Sequence, residues 1–321
     1  MELHFPLILD GATGTELQKR GYTGDVCAEQ WTLEHPEAII DIQRGYVDSG
    51  SQVLYTPTFG ANRRKLEEHG IFNRTEDYNR RLAALSEQAS GGRALRAGDI
   101  SPTGAFLAPL GDVSFEELVD IYTQQAAGLE SAGVDLFVIE TMMTLSDARA
   151  AVLAVRSVSD KPVFVTFTCD ENGRSISGGD VTAALVVLQG MGIDAFGLNC
   201  SAGPEQMLPQ LRRLREYARV PQIVDGKAVY DCTPEEFVAL IPDMLRTGVA
   251  VFGGCCGTTA AHIAALRDAL DGASVTPPAP LHTDMLPAAT EKLPSPLPTT
   301  PCWRRASTTG TAYRRWQTSS T

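Results

Sequence analysis

Short apolar segments alternate with longer amphipathic segments from residue 5 to about residue 270 of this 321-residue chain. Helices are predicted between the apolar segments, for example at residues 114–133 and 233–248, each of which begins with a potential capping box. This alternation predicts βα units around a parallel sheet. Seven apolar segments have the length and composition of buried strands: residues 6–10, 52–56, 94–100, 135–140, 162–168, 195–200 and 249–254.

An eighth strand is indicated only weakly, by the residues PQIV at 221–224. Eight strands predict an α/β fold of the (β/α)8 TIM-barrel type, which fits the pattern better than an open doubly wound sheet. In a TIM barrel the active site is assembled at the carboxyl ends of the strands. The candidate site therefore consists of the residues at those ends: Asp10, Gly11, Asp99, Ser101, Glu140, Asn199, Cys200, Cys255 and Cys256.

Two adjacent cysteines, Cys255 and Cys256, follow the last strand in the run VFGGCCGTT. Successive side chains of a strand point to opposite faces, so both sulfurs reach one metal only where the backbone leaves strand geometry, which the neighbouring glycines permit. Cys200 ends another strand and offers a third thiol. Three thiolates without a nearby histidine favour Zn²⁺, with the fourth tetrahedral position left for substrate or water.

Other interpretations of these residues stay open at this point. Small cysteines also fill cores, and an adjacent pair could form a strained disulfide in a thiol-redox protein. A strand-end carboxylate such as Asp10 often caps the following helix. Several acids that meet three thiols at one rim favour a functional site. The remaining cysteines have no such partners, although Cys169 also ends a strand: Cys27, Cys169, Cys232 and Cys302.

An open site of three thiolates is negatively charged, so it suits the binding of another thiol better than the activation of water. A free thiol is only a few per cent ionised at neutral pH, whereas a metal-bound thiol is deprotonated. The site therefore predicts alkylation of a substrate thiol. Asp10 and Glu140 are placed to hold a substrate ammonium, and the amides of residues 11–14 to receive a carboxylate.

The composition limits which binding partners and which cellular compartment are expected. The formal net charge of −12 disfavours nucleic acid and anionic membrane surfaces as partners. No apolar run is long enough for a membrane span, the N-terminus lacks signal-peptide features, and the cysteine count is odd, at seven. We expect a cytoplasmic protein with reduced thiols.

The C-terminal part of the chain has a different composition. Residues 277–301 hold eight of the nineteen prolines, and residues 302–321 contain four arginines and no acid. We predict a zinc-binding barrel over residues 1–272, followed by a Pro-rich linker and disordered tail over residues 273–321. A truncated or frameshifted reading frame would produce such a tail.

Seven motifs, in order along residues 5–270, resemble the homocysteine S-methyltransferase family: LDGATGTEL, PTFGANRRKL, GDISPTG, PLGDVSFEEL, VIETM, GLNCSAGPEQMLP and GGCCGTT. GDISPTG together with PLGDVSFEE is most similar to the first domain of cobalamin-dependent methionine synthase. The resemblance implies a zinc-binding TIM barrel in which Cys200, Cys255 and Cys256 hold the metal. Homocysteine would then bind the zinc through sulfur and be methylated to methionine.

The resemblance also implies roles for the other strand-end residues. Asp10, Glu140 and the backbone of residues 11–13 (Gly11, Ala12 and Thr13) would bind the amino-acid end of homocysteine, and we add Ser101 and Asn199 from the same rim. The methyl donor would be methylcobalamin on another module or protein, or alternatively S-methylmethionine or betaine. A further alternative is a truncated module that binds zinc and homocysteine without turnover.

The seventh strand departs from the family pattern. Family members usually carry a strand that ends in a proline-asparagine-alanine-glycine turn before a segment like QIVDGKAVYD. Here ARVPQIV continues directly into DGKAVYD, and about ten residues are absent. We therefore predict a shortened or deleted seventh strand, with PQIV as a substitute or a gap in the wall. The turn's asparagine, which the resemblance implies can occupy the zinc, has no counterpart, and Gly60 stands where betaine-type relatives use a tyrosine.

Overall fold

The computed structural model describes residues 3–200, 203–226, 232–279, 281, 285–286 and 295–296. Eight parallel strands form one sheet, in the order β1-β8-β7-β6-β5-β4-β3-β2. The strands are β1 (Leu7–Ile8), β2 (Val53–Tyr55), β3 (Leu95–Ile100), β4 (Leu136–Met142), β5 (Val163–Phe167), β6 (Ala195–Asn199), β7 (Gln222–Gly226) and β8 (Val249–Gly254). The predicted TIM barrel is confirmed.

Helices separate the strands along the chain. Where the sequence predicts one helix over 233–248, the structure has two, because Pro242 lies in the first turn of the second and cannot continue the first. The helices are α1 (Gly14–Lys19), α2 (Ala28–Glu34), α3 (Pro36–Ser49), α4 (Arg63–Glu68), α5 (Thr75–Ser90), α6 (Phe115–Ser131), α7 (Leu145–Val158), α8 (Val181–Gly190), α9 (Pro204–Arg215), α10 (Pro234–Val238), α11 (Ile241–Arg246) and α12 (Ala260–Leu270).

The interior of the barrel is an apolar plug capped by polar side chains. Alternate strand residues such as Ala97, Val138 and Ile223 pack together inside the barrel. Because side chains on one face of a strand recur every second residue, the next inward positions toward the carboxyl ends are Asp99, Glu140 and Asp225. All three are buried. The pleat of the strands therefore places a layer of carboxyl groups directly above the plug, and we call this set, with Asp10, the carboxyl layer.

The sheet ends at β1 and β2, and hydrogen bonds from backbone and side-chain groups bridge the seam between these two strands. The backbone amide of Gln52 donates to the carbonyl of Ile8 (2.8 Å), and Ser51 Oγ donates to the carbonyl of Leu9 (3.0 Å). At the carboxyl end the amide of Tyr55 donates to Asp10 Oδ2 (3.0 Å). Asp10, a predicted site residue, thus joins the two strands at the carboxyl end of the seam.

The seventh strand is present as β7 and is five residues long. It pairs in parallel with β6 on one side and with β8 on the other, with a register shift against β8 between Gln222 and Ile223. The expected gap in the wall is therefore wrong, and the segment that begins with PQIV substitutes for the strand. The residues that follow it, 227–231, lie outside the described part of the chain.

The region after residue 272 is described only in part. Residues Met285–Leu286 (β9) pair antiparallel with Ser295–Pro296 (β10). The predicted linker and disordered tail over 273–321 lie mostly outside the described residues. Among the helices that the structure describes, none combines the length and the apolar character needed to cross a membrane.

Candidate metal centre and cavity

Three sulfurs meet at the carboxyl ends of β6 and β8, and we call them the thiol cluster: Cys200, Cys255 and Cys256. Cys256 Sγ lies 3.9 Å from each of the other two sulfurs, and Cys200 Sγ lies 2.8 Å from Cys255 Sγ. Zn–S bonds of about 2.3 Å in a tetrahedron place sulfurs about 3.8 Å apart. Two of the separations match that spacing, and the third pair must part by about 1 Å to share one ion.

The local backbone explains how these thiols converge. Cys200 has a left-handed backbone with φ 54°, which turns its side chain away from the direction a strand would give it. After β8 the chain turns at once, since Thr258 donates through both its amide (3.1 Å) and its hydroxyl (2.7 Å) to the carbonyl of Cys255. A Cβ on Gly254 would lie 2.5 Å from Thr258 Oγ1, so this position requires glycine. Of the glycines predicted to let the backbone leave strand geometry, Gly257 has a left-handed φ of 84°, whereas Gly253 and Gly254 belong to β8.

Without a cation, the surroundings of the thiol cluster disfavour the thiolate form. Contact with the other two sulfurs, with burial in addition, raises the pKa of Cys255 far above its ordinary value. The bond to Cys255 lowers the pKa of Cys200, but contact with Cys256, burial and nearby Glu140 outweigh it and raise the pKa to about 12. Three thiolates this close need a positive ion between them. In the described part of the chain this is the one group of three or more Cys, His, Asp or Glu side chains with metal-ligand spacing.

The alternative interpretations of the cysteines are not observed. The described cysteines form no disulfide, so the vicinal bond between Cys255 and Cys256 is absent. Cys169 and Cys232 lie outside the thiol cluster, as does Cys27, which is buried beside Glu29. Cys302 lies outside the described residues.

A cavity of about 530 Å³ opens beside the thiol cluster. Of the predicted substrate-binding residues, five line it: Asp10, Gly11, Ala12, Thr13 and Glu140. Ser101 and Asn199 do not line it but lie behind it. Ser101 donates to the carbonyl of Phe59 and accepts from Lys65 Nζ (3.2 Å), and so holds two cavity residues in place.

Asn199 positions Glu140. Its Nδ2 donates to Glu140 Oε2 (2.7 Å) and to Thr141 Oγ1 (2.8 Å), and its Oδ1 accepts from the amide of Thr141 (3.1 Å). Thr141 has φ 57°, a strained value for a β-branched residue, at the point where the register of β4 shifts. This network fixes the carboxyl group of Glu140 at the cavity wall. The side chain of Asn199 is therefore a support for a site residue.

The carboxyl layer lies in an environment that disfavours charge. Burial raises the pKa of Glu140 to about 7. Burial is also the main reason why the pKa values of Asp10, Asp99 and Asp225 lie well above the ordinary value of 3.8, and the neighbouring carboxyls add to the effect. A cation that enters the cavity would relieve this repulsion.

Asp10 does not cap α1, so that interpretation is wrong. The N-cap of α1 is Thr13, and the Asp10 carboxylate faces Tyr55 and the cavity instead. Of the amides predicted to receive a carboxylate, that of Ala12 already donates to Thr258 Oγ1 (3.1 Å). A Cβ on Gly11 would lie 2.6 Å from the ring of Tyr46, so only glycine fits there.

Several cavity residues were not predicted: Tyr55, Lys65, Glu29, Thr141 and Asp225. The inward alternation of β2 and β7 could have identified Tyr55 and Asp225, because each lies two residues beyond an inward apolar position. Lys65 lies in α4, and burial lowers the pKa of its ammonium group, which sits over the ring of Phe59. Lys65 and Glu29 lie in helices, so the alternation of strand residues could not identify them.

A family model described as homocysteine S-methyltransferase matches residues 7–270. Methionine synthases of Mycobacterium tuberculosis and Mycobacterium leprae are each 31% identical to the chain, and each alignment covers 80% of this chain. The chain spans only 24% of the length of those relatives. Among solved structures, the metallated form of the homocysteine methyltransferase MmuM from Escherichia coli superposes with a TM-score of 0.72 at 25% identity, covering 82% of this chain and 95% of that one.

The matched region contains all eight strands of the barrel, the thiol cluster and the five predicted residues that line the cavity. The sequence motifs, the barrel and the comparisons agree. The chain belongs to the homocysteine S-methyltransferase family.

Proposed function

We propose that this protein is a zinc-dependent homocysteine S-methyltransferase that transfers a methyl group to the sulfur of homocysteine and forms methionine. The observation that carries the proposal is the thiol cluster at the wall of a cavity large enough for a small amino acid. The three cysteines would hold Zn²⁺, and the open side toward the cavity would admit the substrate sulfur. When bound there, the ion would keep the substrate thiol ionised, and hence nucleophilic, at neutral pH.

The chain's own residues would bind and orient the substrate. Glu140, fixed by Asn199 and Thr141, and Asp10, fixed by the amide of Tyr55, would face the ammonium group. The backbone of residues 11–13 would face the carboxylate, with Ala12 held by Thr258 and by Tyr46, whose hydroxyl donates to the Ala12 carbonyl (2.7 Å). Ser101 would act indirectly, through Lys65 and Phe59.

Two observations bear on the methyl donor. The chain matches only a quarter-length region of the methionine synthases, which favours methylcobalamin on another module or protein as the donor, with the chain as the homocysteine module. It also covers 95% of the homocysteine methyltransferase MmuM, which supports the alternative of a stand-alone enzyme. S-methylmethionine or betaine would then be the donor. We place methylcobalamin first. The alternatives are distinct outcomes of one experiment.

That experiment begins with zinc-loaded protein and homocysteine. Methionine is measured with methylcobalamin, S-methylmethionine or betaine in turn, and zinc content and homocysteine binding are measured on the same sample. Turnover with one donor identifies that donor. One zinc per chain with homocysteine binding but no methionine would indicate a binding module. A protein that binds neither zinc nor homocysteine would contradict the proposal.

The domain boundaries and the cellular compartment are part of the same proposal. We propose residues 1–272 as the zinc barrel and 273–321 as linker and tail, and the cytoplasm as the compartment, where thiols stay reduced. Proteolysis that leaves a fragment of 1–272 with unchanged zinc content would support these boundaries.

A further inference from the structure

Asp225 is a buried, charged side chain that the sequence motifs do not assign to any role. It is 5% exposed, lines the cavity, and its Oδ1 has no hydrogen-bond partner among the described residues. Leaving a buried carboxylate oxygen without a partner costs free energy. Such an atom at the wall of a binding cavity indicates a ligand that donates to it.

The position of Asp225 in the sheet places it next to the thiol cluster. It lies on β7, between β6 and β8, and pairs with Asn199 on one side and with Gly253 on the other. Those partners lie one residue before Cys200 and two residues before Cys255. A ligand whose sulfur reaches the thiol cluster therefore has its next few atoms near the Asp225 carboxyl group.

Two other buried oxygen atoms on the cavity wall share this property. Asp99 Oδ1 and the hydroxyl of Tyr55 also have no hydrogen-bond partner among the described residues. The charges of Asp225, Glu140, Asp10 and Asp99 all add to the effect of burial on Tyr55, and together they raise its pKa well above 10.0. The Tyr55 hydroxyl therefore lies within the field of the whole carboxyl layer.

We propose that Asp225 is a further binding group for the primary ammonium group of the amino-acid substrate, beside Asp10 and Glu140, and that Asp99 and the Tyr55 hydroxyl belong to the same subsite. This inference rests on the proposed function. A primary ammonium group has three N–H donors, so it can donate to the unpartnered Oδ1 of Asp225 and to Glu140 and Asp10 at once. Glu140, oriented by Asn199 and Thr141, accepts another of these N–H groups.

Electrostatics supports this assignment. Burial, with the charges of Glu140 and Asp10 in addition, raises the pKa of Asp225 well above its ordinary value, so a positive ligand would stabilise its charged form. Charge-assisted hydrogen bonds in a water-poor site are stronger than neutral ones. The substitute strand would thus supply a substrate-binding group as well as closing the wall. It would also favour a primary amine over a fully methylated nitrogen, which has no N–H to donate.

The test compares two thiols on the zinc-loaded protein by calorimetry: homocysteine and 4-mercaptobutanoic acid, which has the same chain without the amino group. Asp225→Asn should weaken homocysteine binding about tenfold to a hundredfold. Binding of 4-mercaptobutanoic acid and the zinc content should not change. The matched control is Asp160→Asn, at an exposed aspartate remote from the cavity, which should leave both affinities unchanged.

Three results would overturn the inference: unchanged homocysteine affinity in Asp225→Asn, equal losses for both thiols, or loss of zinc. Because Asn is nearly isosteric with Asp, a melting curve shows whether the variant folds. If it does not, Tyr55→Phe provides the same comparison and should narrow the gap between the two thiols. A wild-type protein that binds no homocysteine would instead refute the proposed function, so the two failures are distinguishable.

Discussion

The pH dependence of folding in the metal-free protein tests whether the carboxyl layer is as buried as the structure shows. Burial raises the pKa of Glu140 to about 7, against an ordinary value of 4.5. The folded protein therefore keeps a proton that the unfolded chain releases. The stability that this group contributes is full below pH 4.5 and is lost as the pH rises through about 7.

The size of the effect follows from the two pKa values. Each pKa unit corresponds to about 1.4 kcal/mol, so Glu140 alone should lower the free energy of unfolding by about 3 kcal/mol between acid and neutral pH. The pKa values of Asp10, Asp99 and Asp225 are raised as well, and these groups act in the same direction. Metal-free protein should thus be less stable at pH 8 than at pH 5.

Urea unfolding of metal-free wild type and Glu140→Gln at several pH values between 5 and 8 measures this directly. Gln cannot ionise, so the change in the free energy of unfolding between pH 5 and pH 8 should be about 3 kcal/mol smaller in the variant than in wild type. Glu67→Gln, at a half-exposed position on α4, serves as the control and should keep the wild-type slope. An identical slope in wild type and Glu140→Gln would refute the argument, because Glu140 would then have the same pKa in both states.

Three further outcomes are expected. Alanine at any position of the thiol cluster should remove the zinc, whereas Cys232→Ala should not; metal analysis of the purified variants decides this, and full zinc retention in Cys200→Ala would contradict the metal site. Glu140→Gln should weaken homocysteine binding about tenfold to a hundredfold and keep the zinc, because its partner is the ammonium group; calorimetry would show either unchanged affinity or zinc loss if the role is wrong. Ile223→Ala should destabilise the fold by about 2–5 kcal/mol, since Ile223 is fully buried in the plug; a melting curve like that of wild type would show that β7 is not part of the core.

The sequence was sufficient to predict the barrel and the thiol cluster. Strand periodicity is a local signal, and parallel strands of a barrel bring their carboxyl ends to one rim, so Cys200 and Cys255 could be placed together without coordinates. The same rule placed Asp10 and Glu140 at the cavity. It could not show that Ser101 and Asn199 point behind the wall, because that depends on which neighbour each side chain meets.

The role of β7 could not be predicted in the same way. A resemblance describes what relatives have at a position, and here it predicted a shortened or deleted strand. Whether Gln222–Gly226 would pair on both edges depends on the fit of the segment between β6 and β8. The inward direction of Asp225 follows only once that register is known. A one-residue slip would turn the carboxyl group to the outside of the barrel.

The Asp10 carboxylate has two roles. It accepts a hydrogen bond from the Tyr55 amide, which joins the end of β1 to β2, and it also faces the cavity. Ligand binding and the tightness of the barrel are therefore thermodynamically linked. A ligand that orders Asp10 would make the seam open less often, and by reciprocity opening of the seam would weaken ligand binding by the same factor. A change that loosens the seam, even on its outer face, would therefore lower the affinity to the extent that it populates the open state. Mutations far from the cavity, along the edges of β1 and β2, would then act as affinity mutations.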